Sequence, residues 1–155
     1  MIYLLYGQPG SGKTTLAHFV KDCLTKEIIA SATYSLKIPI IIDGDEFREV
    51  FSNKIYNRYG RRQNIKKANT VVTYLQKTEV SRDIILALVN PYEDLRNELK
   101  KEFAGQITEI MLYCTRSLRK KYHTQDFEKG SPNKIINTDE PLSESKRKLK
   151  KFLSL

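Results

Sequence analysis

The chain has 155 residues, of which 40% are hydrophobic and 29% charged, with 7 Gly, 5 Pro and no Trp. This composition excludes disordered and repetitive proteins, and the length favours a single domain over residues 1–155 with a buried core. Lys and Arg outnumber Asp and Glu by 27 to 18, a net charge of +9. That charge favours anionic partners, among which small phosphates, nucleic acid and acidic lipid surfaces all fit.

The amino terminus indicates where the protein resides. Its apolar start is too short to cross a membrane and carries no basic leader, so we expect neither a signal peptide nor a membrane span there. We therefore expect a cytoplasmic protein. Cys23 and Cys114 both fall inside apolar patterns, which predicts buried reduced thiols and neither a disulfide framework nor a metal cluster.

The most informative stretch, residues 7–14, reads Gly-Gln-Pro-Gly-Ser-Gly-Lys-Thr. An apolar run over 1–6 and helical spacing of apolar residues over 15–24 place it between a strand and a helix, the context of a phosphate-binding loop. Its glycines allow successive amide groups to point at a phosphate chain near the positive end of the helix. A turn that binds nothing is the alternative, but the complete pattern favours binding of a nucleoside triphosphate.

The loop supplies the candidate nucleotide contacts. Lys13 is expected to reach the β and γ phosphates, and the Thr14 hydroxyl is expected to ligate Mg²⁺. The predicted nucleotide-binding residues of the loop are Gly7, Pro9, Gly10, Ser11, Gly12, Lys13, Thr14 and Thr15.

The second predicted strand, 38–43, is a continuous apolar run that fits a buried parallel strand, with Pro39 at its start, where a missing NH costs least. It ends in Asp43-Gly-Asp45-Glu-Phe-Arg48. Ligands of open α/β sheets bind at the carboxyl ends of strands, so these charged side chains are candidates for a site. A helix cap formed by Asp45 is the alternative, since Asp is favoured there.

A long helix is predicted over 61–80, and it begins with the basic run Arg61-Arg-Gln-Asn64-Ile-Lys-Lys67. Cations in a first helical turn oppose the helix dipole and favour an anion nearby, with ordinary surface lysines as the alternative. A third strand, 83–89, precedes Asn90-Pro91, which predicts a helix cap followed by proline at the first helical position.

The remaining elements complete an alternating pattern. Further helices are predicted over 92–103, 117–128 and 142–152, and further strands over 107–114 and 134–137. The basic residues over 146–151 are interpreted as the solvated face of an amphipathic closing helix, with a nucleic-acid patch as the alternative. Alternating strands and helices predict a three-layer α/β P-loop NTPase fold, with a parallel sheet of about five strands in the order 2-3-1-4-5.

The chain also resembles the adenylylsulfate kinases, P-loop enzymes that transfer the γ-phosphoryl group of ATP to the 3′-hydroxyl of adenosine 5′-phosphosulfate. Order and spacing agree from residue 1 to about 104. The resemblance rests on the phosphate loop, Ile-Asp43-Gly44-Asp45-Glu-Phe-Arg48, Arg61-Arg-Gln-Asn64-Ile65-Lys-Lys, Val89-Asn90-Pro91-Tyr92 and, more loosely, Ile136-Asn-Thr138-Asp139.

The resemblance implies ATP and Mg²⁺ as cofactors, and roles for individual residues. Lys13 and Asp45 would be catalytic, with Asp45 orienting the acceptor hydroxyl and taking its proton. Asp43 would organise the magnesium ion through water, beside Thr14. The residues that would hold the anionic group of the acceptor are Arg48, Arg61 and Asn64, together with Asp45 at its hydroxyl. These roles suit phosphoryl transfer, which needs positioning and neutralisation of charge.

A lid-like segment at about 116–133 carries cations, of which Arg119 is predicted to reach ATP, with a solvated helix face as the alternative. The family's Phe-Thr-Gly segment, whose ring stacks on the substrate base, has no counterpart here. Phe47, Tyr59 and Phe127 are the candidate replacements, with plain packing as the alternative. In addition, the family has a serine where this chain has Asn90 and an arginine where it has Glu93.

These observations predict a kinase for a small anionic acceptor, either adenylylsulfate or another nucleotide-like compound. One alternative is a kinase of polynucleotide 5′-hydroxyl ends, which the charge of +9 suits. Another is a nucleotide-binding protein without catalysis. The expected partners are ATP and the acceptor, nucleic acid is the less favoured partner, and a homodimer is left open.

Overall fold

Five parallel strands form one sheet in the structure, a computed structural model that describes residues 1–31, 37–79, 82–116 and 119–155. The strands are β1 (Ile2–Tyr6), β2 (Ile40–Asp43), β3 (Ile84–Leu88), β4 (Ile107–Tyr113) and β5 (Lys134–Asn137). They lie in the order β2-β3-β1-β4-β5, and every neighbouring pair is parallel. The predicted order is confirmed, with the strand before the phosphate loop in the middle of the sheet.

Helices cover both faces of the sheet. They are α1 (Lys13–Ala30), α2 (Gly44–Val50), α3 (Arg58–Thr78), α4 (Glu93–Glu102) and α5 (Leu142–Leu153), besides the short 3-10 turn Lys120–Tyr122. Leu16 of α1 and Leu149 of α5 share an apolar cluster with Leu5 of β1. Val72 and Leu99, from α3 and α4, share another with Leu4. Successive β1 residues thus face opposite layers, as strand geometry requires, and the predicted three-layer fold is confirmed.

The start of helix α3 differs from the prediction. Helix α3 begins at Arg58 rather than at residue 61, because the side-chain oxygen of Asn57 accepts a 2.9 Å hydrogen bond from the Gly60 amide and caps the helix there. Its predicted end, Val80, lies outside the described residues. Helix α1 continues to Ala30, beyond the apolar spacing over 15–24 that indicates it.

The predicted helix over 117–128 is wrong for the part that the structure describes, 119–128. Only the 3-10 turn Lys120–Tyr122 forms there. Arg119 has a left-handed φ of +55°, which interrupts a right-handed helix. Farther along, the main chain at Thr124 bonds to the Gln8 side chain rather than to a helical ladder.

Other chain-wide expectations can be compared with the described residues. None of the helices seen in that part of the chain is both long and apolar enough to span a bilayer. Cys23 and Cys114 are free thiols, and both are partly buried rather than fully buried as predicted.

Candidate active site

The phosphate loop connects β1 to α1, and glycine is required at two of its positions. A Cβ atom on Gly7 would lie 2.3 Å from the carbonyl oxygen of Leu112. Gly12 has a φ of +86° and occupies the cap position of α1. The Thr138 hydroxyl, just after β5, donates a 3.0 Å hydrogen bond to the Ser11 carbonyl. The loop is therefore held in place from the end of β5, an edge strand of the sheet.

Lys13 is a buried cation at the mouth of the loop, with 9% of its surface exposed. Its ammonium group donates a 2.8 Å hydrogen bond to the Gln8 carbonyl. Burial lowers the pKa of Lys13 to about 8, although the carboxylates of Asp45 and Asp43 act in the opposite direction. The ammonium ion would therefore be stabilised by an additional anion, such as a phosphate group.

The lowered pKa of Lys13 predicts how the free energy of unfolding depends on pH. The unfolded chain holds this proton at pH values where the folded chain has released it, so folding becomes more favourable as pH rises above about 8. The fall from 10.5 to about 8 corresponds to about 3 kcal/mol. The Lys13→Met variant is thus expected to have a higher free energy of unfolding than the wild type, and the difference should be larger at about pH 7 than at about pH 9.5.

Urea unfolding of the free chain at both pH values measures this difference. Lys66→Met, on the exposed face of α3, is the control and should show no such pH dependence. A wild-type chain that is more stable than Lys13→Met at neutral pH would contradict the prediction.

Two oxygen-bearing side chains meet beside Lys13. The Thr14 hydroxyl donates a 2.6 Å hydrogen bond to one carboxylate oxygen of Asp43. The other oxygen accepts a 2.9 Å hydrogen bond from the Asp45 amide, so Asp43 is the cap of α2 and the alternative that Asp45 caps it is wrong. A carboxylate and a hydroxyl at the phosphate loop fit Mg²⁺, which binds one or two carboxylates, water and substrate phosphates.

Asp45 lies in the first turn of α2 with its carboxylate free of capping bonds. It accepts a 2.6 Å hydrogen bond from the guanidinium of Arg119, and 61% of the Asp45 side chain and 50% of the Arg119 side chain are exposed. Both residues line the same cavity as Lys13. The structure thus brings a lid cation and a candidate base together over the phosphate loop.

Two buried arginines form another part of the cavity wall. Arg48 donates to the carbonyls of Asn53 and Ile55, at 3.1 Å and 2.9 Å. Arg61 donates to the carbonyls of Tyr56 and Tyr122, at 2.9 Å and 2.6 Å. Burial lowers the pKa of both guanidinium groups.

These bonds hold the arginines in place without neutralising them, because carbonyl oxygens carry no net charge. Neither guanidinium group forms an ion pair with another of the described residues, and a buried cation without a counter-ion is costly, so the wall suits an anionic ligand.

The same wall carries two amides with unused hydrogen-bonding capacity. Asn64 donates a long 3.5 Å bond to the Gly44 carbonyl, while its oxygen has no partner among the described residues. Asn90 is 1% exposed, and neither of its amide atoms has a partner there. Such a group costs about 1–3 kcal/mol in a free protein, so each needs an explanation.

The predicted cap at Asn90 is wrong. Helix α4 begins at Glu93 with Tyr92 as its cap residue, and the Glu93 amide donates to the carboxylate of Glu128, at 2.5 Å. Glu128 thus supplies the acceptor that Asn90 was predicted to provide. The Asn90 side chain lines the cavity instead.

One cavity of about 280 Å³ joins these groups. Of the predicted site residues, Gly7 and Ser11 shape the loop without lining the cavity. The predicted residues that line it are Pro9, Gly10, Gly12, Lys13, Thr14, Thr15, Asp43, Asp45, Arg48, Arg61, Asn64 and Arg119.

The aromatic residues of the cavity are not the predicted ones. Phe47 contacts the ring of Phe51, with ring centroids 4.5 Å apart, and Phe127 stacks on Tyr6 in the core, at 6.2 Å. Tyr59 is 65% exposed and lies outside the cavity lining. These three residues are therefore not cavity aromatics.

Tyr56 and Tyr122 line the cavity instead, with ring centroids 4.9 Å apart. Sequence reasoning missed both. The available signal was that Tyr122 directly follows the lid cations and Tyr56 lies in the connection before Arg61, since connections often carry binding residues.

Residues 124–129, called the strap below, are a part of the lid-like segment that forms hydrogen bonds with the rest of the protein. The side-chain amide of Gln8 donates a 2.7 Å hydrogen bond to the Thr124 carbonyl, and its oxygen accepts a 3.0 Å hydrogen bond from the backbone N–H of Thr124. The buried guanidinium of Arg96 donates to the carbonyls of Asn90 and Glu128, at 2.7 Å and 2.8 Å. It also lies 3.6 Å from the buried carboxylate of Glu109. Neither Gln8 nor Arg96 was singled out by sequence.

Comparison with known proteins gives a consistent family. The family model for adenylylsulphate kinase matches residues 1–135. A probable adenylyl-sulfate kinase of Aeropyrum pernix is 30% identical over 102 residues, which cover 65% of this chain and 50% of that protein. The match thus spans about half the length of that curated relative.

Solved structures share the fold. The APS kinase of Mycobacterium tuberculosis, in complex with AMPPNP and APS, gives a TM-score of 0.76 at 15% identity, covering 99% of this chain and 97% of that chain. A hexameric APS kinase from Thiobacillus denitrificans gives 0.69 at 20% identity, covering 99% of this chain but 28% of that one. Because the family model matches most of the chain, including every predicted site residue, the chain belongs to the adenylylsulphate kinase family.

Proposed function

We propose that this chain is an ATP-dependent kinase that transfers the γ-phosphoryl group to a hydroxyl of adenylylsulfate. The observation that carries the proposal is the make-up of one cavity, in which the phosphate loop, the Asp45 carboxylate and two buried arginines face the same space. Membership of the family supports the same acceptor.

The nucleotide is assigned to the phosphate loop. The loop amides and Lys13 would hold the β and γ phosphates, because a buried ammonium ion is best stabilised by an anion. Thr14 and Asp43 would hold Mg²⁺, with water completing its ligands. When bound, the ion would neutralise charge on the β and γ oxygens.

Asp45 is assigned to the transfer step. Its carboxylate would take the proton of the acceptor hydroxyl while the hydroxyl oxygen bonds to the γ-phosphorus. The bond from that phosphorus to the bridging oxygen then breaks, and ADP leaves with the electron pair. Arg119 pairs with Asp45 in the free chain. Once the pair separates, its guanidinium would neutralise the charge spreading over the transferred group.

The acceptor is assigned to the opposite wall. Arg48, Arg61 and Asn64 would hold its anionic group. The shortened lid lacks the aromatic ring that stacks on the substrate base in the family. Tyr56 and Tyr122 would supply that contact, because aromatic faces stack on nucleobases.

Arg61 and Arg62 allow a matched test of this assignment. Arg61→Ala is expected to raise the KM for adenylylsulfate at least about tenfold, since a charged hydrogen-bond donor to the anion is lost. Arg62 forms an exposed ion pair with Asp94, so Arg62→Ala should change KM less than about twofold. Initial-rate kinetics of both variants measure the difference, and equal KM values would contradict the assignment.

A panel of acceptors separates the proposed function from its alternatives. Wild-type chain with ATP and Mg²⁺ is expected to phosphorylate adenylylsulfate faster than other nucleotides or an oligonucleotide with a 5′-hydroxyl end. Faster transfer to the oligonucleotide would favour the polynucleotide kinase. ATP binding without transfer to any acceptor would favour a protein without catalysis.

Two predictions about the whole chain remain proposals. Residues 1–155 are proposed to act as one kinase unit with a lid at about 116–133, and the assembly is proposed to be a homodimer. Light scattering of the purified chain over a range of concentrations measures its assembly state.

A further inference from the structure

Gln8 belongs to the phosphate loop, but its side chain contacts the lid. The side-chain amide forms two hydrogen bonds with the main chain of Thr124 in the strap, one to the carbonyl at 2.7 Å and one from the backbone N–H at 3.0 Å. Thr124 is buried, with 7% of its surface exposed. Because the amide uses both its nitrogen and its oxygen, the contact fixes the orientation of the strap as well as its distance from the loop.

The main chain of Gln8 is itself held within the phosphate loop. Its carbonyl accepts a 3.1 Å hydrogen bond from the Ser11 amide and a 2.8 Å hydrogen bond from the ammonium group of Lys13. Gln8 therefore joins a fixed part of the loop to the lid, and the position of the lid is set relative to the phosphate site.

Other contacts between the lid and the cavity involve groups that are assigned to the reaction. Arg119 pairs with Asp45, and Arg61 donates to the Tyr122 carbonyl. Under the proposed function, Asp45 takes a proton and Arg61 faces the anion of the acceptor, so both contacts would change when the substrates bind. The contact between the phosphate loop and the strap lies outside the cavity lining, so it can persist through the reaction.

The place of this contact along the chain determines how closely it restrains Arg119. Thr124 lies five residues after Arg119, whereas Glu128, whose backbone amide bonds to the Pro91 carbonyl at 2.8 Å, lies nine residues after it. An extended chain spans about 3.3–3.6 Å per residue, so five residues reach roughly 17 Å and nine residues roughly 31 Å. Without the contact at Thr124, the longer tether would restrain Arg119 much less.

We propose that Gln8 is a positioning residue for the transfer step, which holds the lid so that Arg119 meets the γ-phosphoryl group. This role rests on the proposed function, because the charge that Arg119 neutralises is that of the transferred group. It adds a residue of the phosphate loop whose side chain serves the lid rather than the nucleotide.

Gln8→Met removes both hydrogen bonds and keeps the length of the side chain. Single-turnover transfer to adenylylsulfate with saturating ATP and Mg²⁺ is expected to slow at least about tenfold, because a shift of about 1 Å in a positioned group costs this much or more. The affinity for ATP, measured by titration calorimetry, should change less than about threefold, since the main chain of the loop stays in place.

A double-mutant cycle with Arg119→Ala tests whether Gln8 acts through Arg119. In a chain that carries Arg119→Ala, Gln8→Met is expected to slow transfer less than about twofold, because the group that Gln8 positions is already absent. A general loss of structure would instead slow transfer by the same factor in both backgrounds.

Gln76→Met is the matched control. The side-chain amide of Gln76 likewise donates to a main-chain carbonyl, that of Arg82, at 3.2 Å, but it lies on α3 outside the cavity lining. This variant should leave the transfer rate and the ATP affinity unchanged. If Gln8→Met does not fold, Gln8→Glu goes through the same cycle with the same expected dependence on Arg119, because it loses the donor but keeps an acceptor for the Thr124 N–H.

Hydrogen exchange over residues 119–124 gives a measurement that needs no turnover. The backbone amides of Tyr122 and His123 donate to the Arg119 and Lys120 carbonyls in the 3-10 turn, so their exchange reports how well the lid is ordered. With a non-hydrolysable ATP analogue and Mg²⁺ bound, both amides should exchange at least about tenfold faster in Gln8→Met than in the wild type.

The possible results separate this role of Gln8 from the proposed function. Transfer by Gln8→Met at the wild-type rate overturns the role, as does an equal loss of rate with and without Arg119. A wild-type chain that does not phosphorylate adenylylsulfate overturns the proposed function. In that case unchanged exchange in Gln8→Met also overturns the holding of the lid by Gln8, whereas faster exchange supports it.

Discussion

Replacing Asp45 with alanine is expected to slow phosphoryl transfer to adenylylsulfate at least about a hundredfold, the usual effect of losing a general base. ATP affinity should change little, because Asp45 bonds to Arg119 rather than to the phosphate loop. The fold should also persist, since Asp43 and not Asp45 caps α2. Single-turnover rates measure the transfer, and calorimetry measures ATP binding.

Glu46→Ala is the control for Asp45. Glu46 is the next residue of α2 and is exposed, and it does not line the cavity around the phosphate loop. The variant should keep nearly all of the wild-type rate. If Asp45→Ala also kept most of that rate, the assignment of Asp45 as the base would be wrong.

Replacing Lys13 with methionine is expected to lower turnover by about a thousandfold or more, because the cation that would neutralise the transferred group is lost. The same variant is expected to be more stable than wild type when free, since a buried ammonium ion is removed. A variant that gains stability and loses activity would identify Lys13 as a functional cation. Steady-state kinetics measure the turnover, and urea unfolding measures the stability.

Lys66→Met again serves as the control, because this exposed lysine of α3 should affect neither property. A Lys13→Met chain that lost stability would instead indicate a structural role for the buried ammonium. Substantial remaining turnover would contradict its assignment to the phosphates.

The sheet and the phosphate loop were predictable because their signals are local. Buried parallel strands are continuously apolar, and the loop sequence has a fixed spacing between a strand and a helix. Asp43, Asp45 and Arg48 were found because they come at the carboxyl end of such a strand, and Arg61 because it opens a basic run at the start of a predicted helix.

The parts of the site that sequence missed depend on contacts between distant segments. Nothing local reveals that the carboxylate of Glu128 would accept the hydrogen bond of the Glu93 amide that Asn90 was predicted to take. Tyr122 lies near Tyr56 because the lid folds back over the body. The helix predicted over 117–128 fails for the same reason, since Gln8 bonds to the main chain there.

Arg96 supports two segments of the chain at once. One guanidinium group anchors the backbone beneath position 90 and the backbone of the strap, while Glu109 balances its charge. Because both segments depend on the same guanidinium group, loss of the Arg96 side chain would release both of them together.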